Sequence, residues 1–196
     1  MKELEERIQS DGVIIDNEIL KVDSFINHQI DIALLRRICA YLVEPFHDTE
    51  KIVTIETSGI AFAVSSAELL GDIPVVFAKK SKSKIVDTTN IYTANVKSFT
   101  RGIVSPITID KRFLKKGEKV LIVDDFMAEG NASLGLVELC QQAGAQVMGV
   151  CVAVEKSFQG GHGKLNAMGI PVRSGADIAG FDHGKVIFAP EKPASL

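Results

Sequence analysis

The stretch Val120-Leu-Ile-Val-Asp-Asp-Phe-Met-Ala-Glu-Gly-Asn-Ala132 decides the fold. Four apolar residues, Val120 to Val123, lead into the acidic pair Asp124 and Asp125. Small and polar residues follow, and a helical pattern then begins, with Leu134, Val137 and Leu139 apolar and Glu138, Gln141 and Gln142 between them. The order is buried strand, acidic pair, tight loop, helix. In an open α/β sheet such a loop lies beyond the carboxyl end of a strand, where ligands bind. The unpaired N–H groups of the following helix point outward and suit a phosphate. Gly130 lets the backbone turn sharply and approach a ligand. Two carboxylates repel a phosphate but suit hydroxyls or a hydrated Mg²⁺. Anion cradle and acidic pair together fit a phosphorylated sugar.

The flanking sequence reads as a helix-strand alternation. Lys2 to Gln9 is a short helix, and Val13–Ile15 and Ile19–Leu20 are strands around an Asp16-Asn17 turn. Asp31 caps a helix with Ile32, Leu35, Ile38, Cys39 and Leu42 on one face, ended by Pro45. Ile52–Ile55 is a strand, Thr57-Ser58-Gly59 a small-residue loop, Ile60–Leu70 a helix and Val75–Ala78 a strand, which makes a βαβ unit. Lys79–Lys84 reads as a basic loop, and Ile85–Phe99 as a projecting hairpin whose chain returns to the sheet at Ser105–Ile109. Val147–Val154 has no polar break and reads as a central strand buried on both faces. Gly160–Gly163 reads as a flexible connection, and Val172 and Val186–Phe188 as closing strands. The pattern predicts a doubly wound, mostly parallel sheet in one domain over 1–196, with residues 1–30 as a separate hood.

At 196 residues and a formal net charge of -3, the chain has enough length for its own core and no basic stripe for nucleic acid. The three cysteines, Cys39, Cys140 and Cys151, are scattered among apolar residues, which favours reduced, buried thiols. There is no signal-peptide core and no apolar run of membrane-spanning length, so a cytoplasmic protein is expected.

Other segments carry two readings each. Thr57-Ser58-Gly59 is a second phosphate loop or a plain helix cap. Lys79, Lys80 and Lys82 are a solvated basic stretch or a loop that closes over a departing anion. Lys156 ends the most apolar strand and can donate to a carbonyl oxygen of a base. Phe158 can stack on that base or pack in the core. Asn27, His28 and Gln29 are a turn into the Asp31 cap or part of a base-recognition hood.

The run from Val120 to Ala132 resembles the phosphoribosyl-pyrophosphate signature of the type I phosphoribosyltransferases. Ile19–Asp31, Ile52–Ala61 and Val154–Phe158 are similar to the xanthine-using bacterial branch of that family. The resemblance implies that fold: a mostly parallel sheet flanked by helices, a small N-terminal hood and a flexible hairpin loop. It implies phosphoribosyl transfer to xanthine, giving xanthosine monophosphate and pyrophosphate, with Mg²⁺ bound alongside phosphoribosyl pyrophosphate. Leu20, Asn27 and Lys156 would contact xanthine, with Phe158 beside them. Ala128, Glu129, Gly130, Asn131 and Ala132 would hold the 5-phosphate, and Ser58, Gly59 and Lys79 the pyrophosphate. Asp124 and Asp125 would face the ribose hydroxyls or the hydrated Mg²⁺, with no protein ligand assigned to the metal itself. The resemblance further implies a non-proline cis bond at the Thr57 loop and a homodimer.

One departure bears on chemistry. Hypoxanthine-guanine enzymes of the family carry an aspartate where this chain has Ala128, so no side chain there moves a proton. Two alternatives stay open: an enzyme preferring guanine or hypoxanthine, since the Asn27 amide can present either its oxygen or its nitrogen, and a non-catalytic purine-responsive regulator of the same fold.

Overall fold

The computed structural model describes residues 1–80, 88–97 and 104–190. Helix α1 (Lys2–Asp11) precedes a hairpin of β1 (Val13–Ile15) and β2 (Ile19–Lys21). Asp16 and Asn17 turn that hairpin with φ of 52° and 56°. Asp and Asn tolerate this left-handed geometry, which matches the twist of paired strands. One wide π-helical turn, Asp23–Asn27, leads to α2 (Ile32–Val43). Asp31 caps α2 by accepting from the Leu34 amide at 3.1 Å.

The chain then alternates: β3 (Lys51–Ile55), α3 (Gly59–Leu69), β4 (Val75–Lys80), β5 (Ile91–Lys97), β6 (Val104–Asp110), β7 (Lys119–Met127), α4 (Asn131–Ala143), β8 (Gln146–Lys156), α5 (Gly161–Ala167), β9 (Val172–Asp182) and β10 (Lys185–Phe188). These strands form one eight-stranded sheet in the order β10-β9-β8-β7-β3-β4-β6-β5. Strands β9, β8, β7, β3 and β4 run parallel. The remaining pairings are antiparallel.

Alternation along the parallel strands divides the core in two. Ile52, Leu121, Val123, Cys151 and Ala153 face one layer with α1, α2 and α3. Val53, Val120, Ile122, Val150 and Val152 face the other with α4 and Leu165 of α5. Strands β3, β7 and β8 are covered on both faces, which is why their sequences read as continuous apolar runs. The expected central strand is β8, where Val150 to Val154 are fully buried.

Two expectations are corrected. Lys79 and Lys80 do not begin a loop: both belong to β4 and pair with Thr108 and Ile107 of β6. Lys82 and the start of the expected hairpin lie outside the described residues, while its β5 arm pairs with β6 from Ile91↔Asp110 to Lys97↔Val104. Gly160–Gly163 is not a loose connection but runs into α5.

Candidate active site

Strand β3 is followed by β4 on one side of it, and β7 and β8 are added on the other. The carboxyl ends of β3 and β7 therefore flank a switch point, where an open sheet leaves a crevice. Pairing makes the crevice concrete. Strand β7 pairs with β3 only through Val120–Ile122, yet stays paired with β8 as far as Met127↔Glu155. Asp124 and Asp125 thus sit inside the strand as it leaves β3, rather than in a loop after Val123.

A cleft of about 1030 Å³ opens there. Of the residues singled out from sequence, Leu20, Asn27, Ser58, Asp124, Asp125, Ala128, Glu129, Gly130, Asn131, Ala132 and Lys156 line it. Three do not. Lys79 gives way to its neighbour Lys80, because successive side chains on β4 point to opposite faces. Gly59 lies beneath the lining. Phe158 is turned aside by the short 3-10 turn Ser157–Gln159 and meets the Phe181 ring edge-on, with centroids 6.0 Å apart. It is 48% exposed, neither core nor cleft.

Gly59 explains how the loop after β3 and the acidic strand fit together. A Cβ there would sit 2.4 Å from Asp124 Oδ1 and 2.5 Å from Thr54 Oγ1. Only glycine lets the start of α3 rest against the acidic strand. The Glu56–Thr57 peptide just before is cis, at the loop where the family resemblance implies such a bond. Gly130 has φ 78°, and a Cβ there would fall 2.9 Å from Gly161 Cα. Both the turn and the close approach need glycine.

The acidic pair is buried and coupled. Burial pushes the Asp124 carboxyl well above the usual carboxylate range, and the adjacent Asp125 charge pushes it further. Asp124 Oδ1 accepts from the Asp125 amide at 2.9 Å. Asp125 Oδ2 accepts from Asn27 Nδ2, which ties the hood to the strand end. Lys156 ties it a second time, with Nζ donating to the Glu18 carbonyl at 3.1 Å and lying 5.6 Å from the Phe181 ring centre. Burial lowers the Lys156 pKa, partly offset by Glu18.

Lys97 of β5 and Lys80 of β4 add two cationic side chains to the lining. A strand period extended from buried Ala78 would have placed Lys80 in the cleft. Nothing local marks Lys97, which arrives only because β5 folds back on β6. Among the described residues no group of three or more His, Cys, Asp and Glu side chains is placed to cage a metal. The acidic pair still fits Mg²⁺, since that ion keeps several waters and is usually held by one or two carboxylates together with substrate phosphates.

The Phosphoribosyl transferase domain family matches residues 22–167, a span that takes in the loops after β3 and β7 and the acidic strand. This chain belongs to the phosphoribosyltransferase family. Among curated relatives it is 48% identical over 191 residues to a xanthine phosphoribosyltransferase of Streptococcus agalactiae, covering 96% of this chain and 98% of the relative. It is 50% identical over 190 residues to the enzyme of that name from Streptococcus uberis, covering 96% and 97%. Its fold is similar to the crystal structure of adenine phosphoribosyltransferase from Rhodothermus marinus, with a TM-score of 0.72, 22% identity, and coverage of 91% of this chain and 100% of that one. Membership gives the fold and the reaction type: a mostly parallel sheet, flanking helices and transfer of a phosphoribosyl group. No helix among the described residues is long and apolar enough to cross a membrane.

Proposed function

We propose that the cleft joins xanthine to the ribose of phosphoribosyl pyrophosphate, yielding xanthosine 5'-monophosphate and pyrophosphate. The observation that carries this reading is near-full-length identity of 48% and 50% to relatives named for xanthine, on a chain whose acidic pair and phosphate loop share one cleft. The purine nitrogen attacks the anomeric carbon as the bond to pyrophosphate breaks. The protein orients the two substrates and stabilises the charge developing on the leaving group.

On this reading the residues divide the work. The backbone of Ala128–Ala132 cradles the 5-phosphate at the start of α4. Thr57, Ser58 and Lys80 face the pyrophosphate. Asp125 takes the ribose hydroxyls. The hood residues Leu20 and Asn27 close over the base, and Lys156 donates to its 6-oxo group. Mg²⁺ bound with the pyrophosphate neutralises part of its charge, and Asp124 and Asp125 are the residues that would hold it through its waters. Ala128 offers no side chain to take the purine proton.

The same proposal includes a homodimer, supported by half-exposed apolar side chains such as Val64 of α3 and Phe77 of β4. It also includes a cytoplasmic setting, supported by three free, buried thiols. A product assay with xanthine, guanine, hypoxanthine and adenine in competition tests the function. Xanthosine monophosphate should dominate, and a guanine or hypoxanthine product in excess would overturn the assignment.

A further inference from the structure

Lys156 faces the base side of β8, while its neighbour Glu155 points the other way and is 1% exposed. Glu155 Oε1 lies 2.9 Å from His162 Nδ1 on α5. Its Oε2 is buried without a hydrogen-bond partner among the described residues. A carboxylate held out of water is costly unless something pairs with it. Packing alone would be better served by an apolar residue, as at Val152 and Val154 on the same strand.

The partner's helix shows what the pair is for. Helix α5 is short and begins on glycines, so it has little stability of its own. Leu165 anchors it in the core. Its first turn is pressed against the backbone of the phosphate loop: the Gly161 amide donates to the Ala128 carbonyl at 3.1 Å, and Lys164 Nζ donates to the Glu129 carbonyl at 2.8 Å. A Cβ at Gly161 would lie 2.6 Å from the Ala128 oxygen and 2.7 Å from the Gly130 nitrogen. With those carbonyls held from behind, the unpaired amides that open α4 at Asn131 and Ala132 are left for the cleft, which both residues line.

We propose that Glu155 and His162 are positioning residues: they fix α5 so that it holds the Ala128–Gly130 backbone in the shape that receives the 5-phosphate. This rests on the reading of that loop as the phosphate cradle. Neither residue lines the cleft. The pair acts through the loop, so its loss weakens phosphoribosyl pyrophosphate in the ground and transition states alike, and KM changes while kcat does not.

The test is steady-state kinetics on the full chain for His162→Ala, His162→Gln, Lys164→Ala and Gly130→Val, with thermal melts alongside. His162→Ala should raise KM for phosphoribosyl pyrophosphate by roughly tenfold, equivalent to about 1.4 kcal/mol of lost binding. Its kcat and its KM for xanthine should stay within about twofold, as uniform binding loss requires. His162→Gln restores a donor to Glu155 and should recover most of the loss. Lys164→Ala, a surface change that leaves the buried pair intact, should act in the same direction. Gly130→Val tests the cradle itself. If it abolishes phosphoribosyl pyrophosphate binding while His162→Ala and Lys164→Ala leave KM unchanged, the brace is wrong and the cradle stands. If Gly130→Val also leaves binding intact, the cradle reading fails first. Equal loss for both substrates, in step with a lowered melting temperature, would reduce the pair to a fold-stabilising contact and overturn the proposal.

Discussion

Asn27 Nδ2 donates to Asp125 Oδ2, so the residue of the hood expected to read the purine is held by the residue expected to hold the sugar. A carboxylate oxygen accepts, so the amide nitrogen turns to Asp125 and leaves its second N–H and the amide oxygen for a ligand. A 2-oxo purine needs the nitrogen. The amide nitrogen carries two N–H donors, so Asn27 can keep one on Asp125 and offer the other to a 2-oxo group.

Asn27→Ala should lower the xanthine-to-hypoxanthine ratio of kcat/KM, because a buried 2-oxo group left without its donor costs roughly 1–3 kcal/mol. Hypoxanthine lacks that group and loses less. Steady-state kinetics on the two bases decides it. An equal loss for both would mean that the hood closes the cleft without reading the 2-position.

Asp124 links pH to stability. Its carboxyl binds a proton more tightly in the fold than in the unfolded chain, because burial and the Asp125 charge both disfavour ionisation. The sign follows: the stabilisation is fully present below the unfolded value, about 3.9, and is lost as pH rises through the raised folded value. Asp124→Asn removes that loss. The variant should melt higher than the parent near neutral pH, by roughly 2–4 °C for each kcal/mol relieved, with the difference vanishing below about pH 4. Turnover should fall at the same time, a trade of activity for stability. A variant that melts lower than the parent at every pH would show that burial of the acid carries no such penalty.

Lys156→Met keeps an unbranched stem beside Phe181 and the hood and removes the ammonium. Losing one charge-assisted donor costs roughly 1–3 kcal/mol, or about tenfold to a hundredfold in kcat/KM. The 6-oxo group is common to xanthine, guanine and hypoxanthine, so all three should fall together with their ratios kept. Selective loss of one purine would move Lys156 away from that group.

The parallel strands were readable because β3, β7 and β8 are covered on both faces, and only unbroken apolar runs such as Val120–Val123 survive there. The cap at Asp31 and the turn at Asp16-Asn17 were readable because their chemistry is local. What stayed hidden depends on distant partners. Strand β4 continues through two lysines because β6, some thirty residues on, offers Ile107 and Thr108 for pairing. Helix α5 forms across Gly161 and Gly163 although glycine costs a helix about 1 kcal/mol each. No side chain at Gly161 could lie against the Ala128 carbonyl, so the contact with the Ala128–Gly130 backbone outweighs helix propensity. Phe158 does not line the cleft, because a turn after Lys156 carries it to Phe181, a partner on another strand. Acidic pair, phosphate loop and Lys156 were legible as chemistry, whereas Lys97 entered only through the fold of the hairpin.

Lys79 and Lys80 provide the sharpest separation between sequence and structure. Sequence placed both in a mobile basic loop, where either could reach a leaving pyrophosphate. The structure puts them in β4, where neighbours face opposite ways, and Lys80 alone of the two lines the cleft. Its charge also reaches Asp124, where it acts to lower that carboxyl's pKa. A lysine aimed at a departing anion acts more strongly as charge develops, so its removal should depress kcat as well as kcat/KM. Lys80→Met should lower kcat/KM for phosphoribosyl pyrophosphate by roughly tenfold to a hundredfold, the range expected for one charge-assisted contact. Lys79→Met should stay within about twofold of the parent, as exposed substitutions away from a site do. Both variants keep an unbranched stem and the strand's backbone pairing, so melting temperatures should be unchanged and the comparison clean. A large loss for Lys79→Met with none for Lys80→Met would mean that the end of β4 is turned over when substrate is bound.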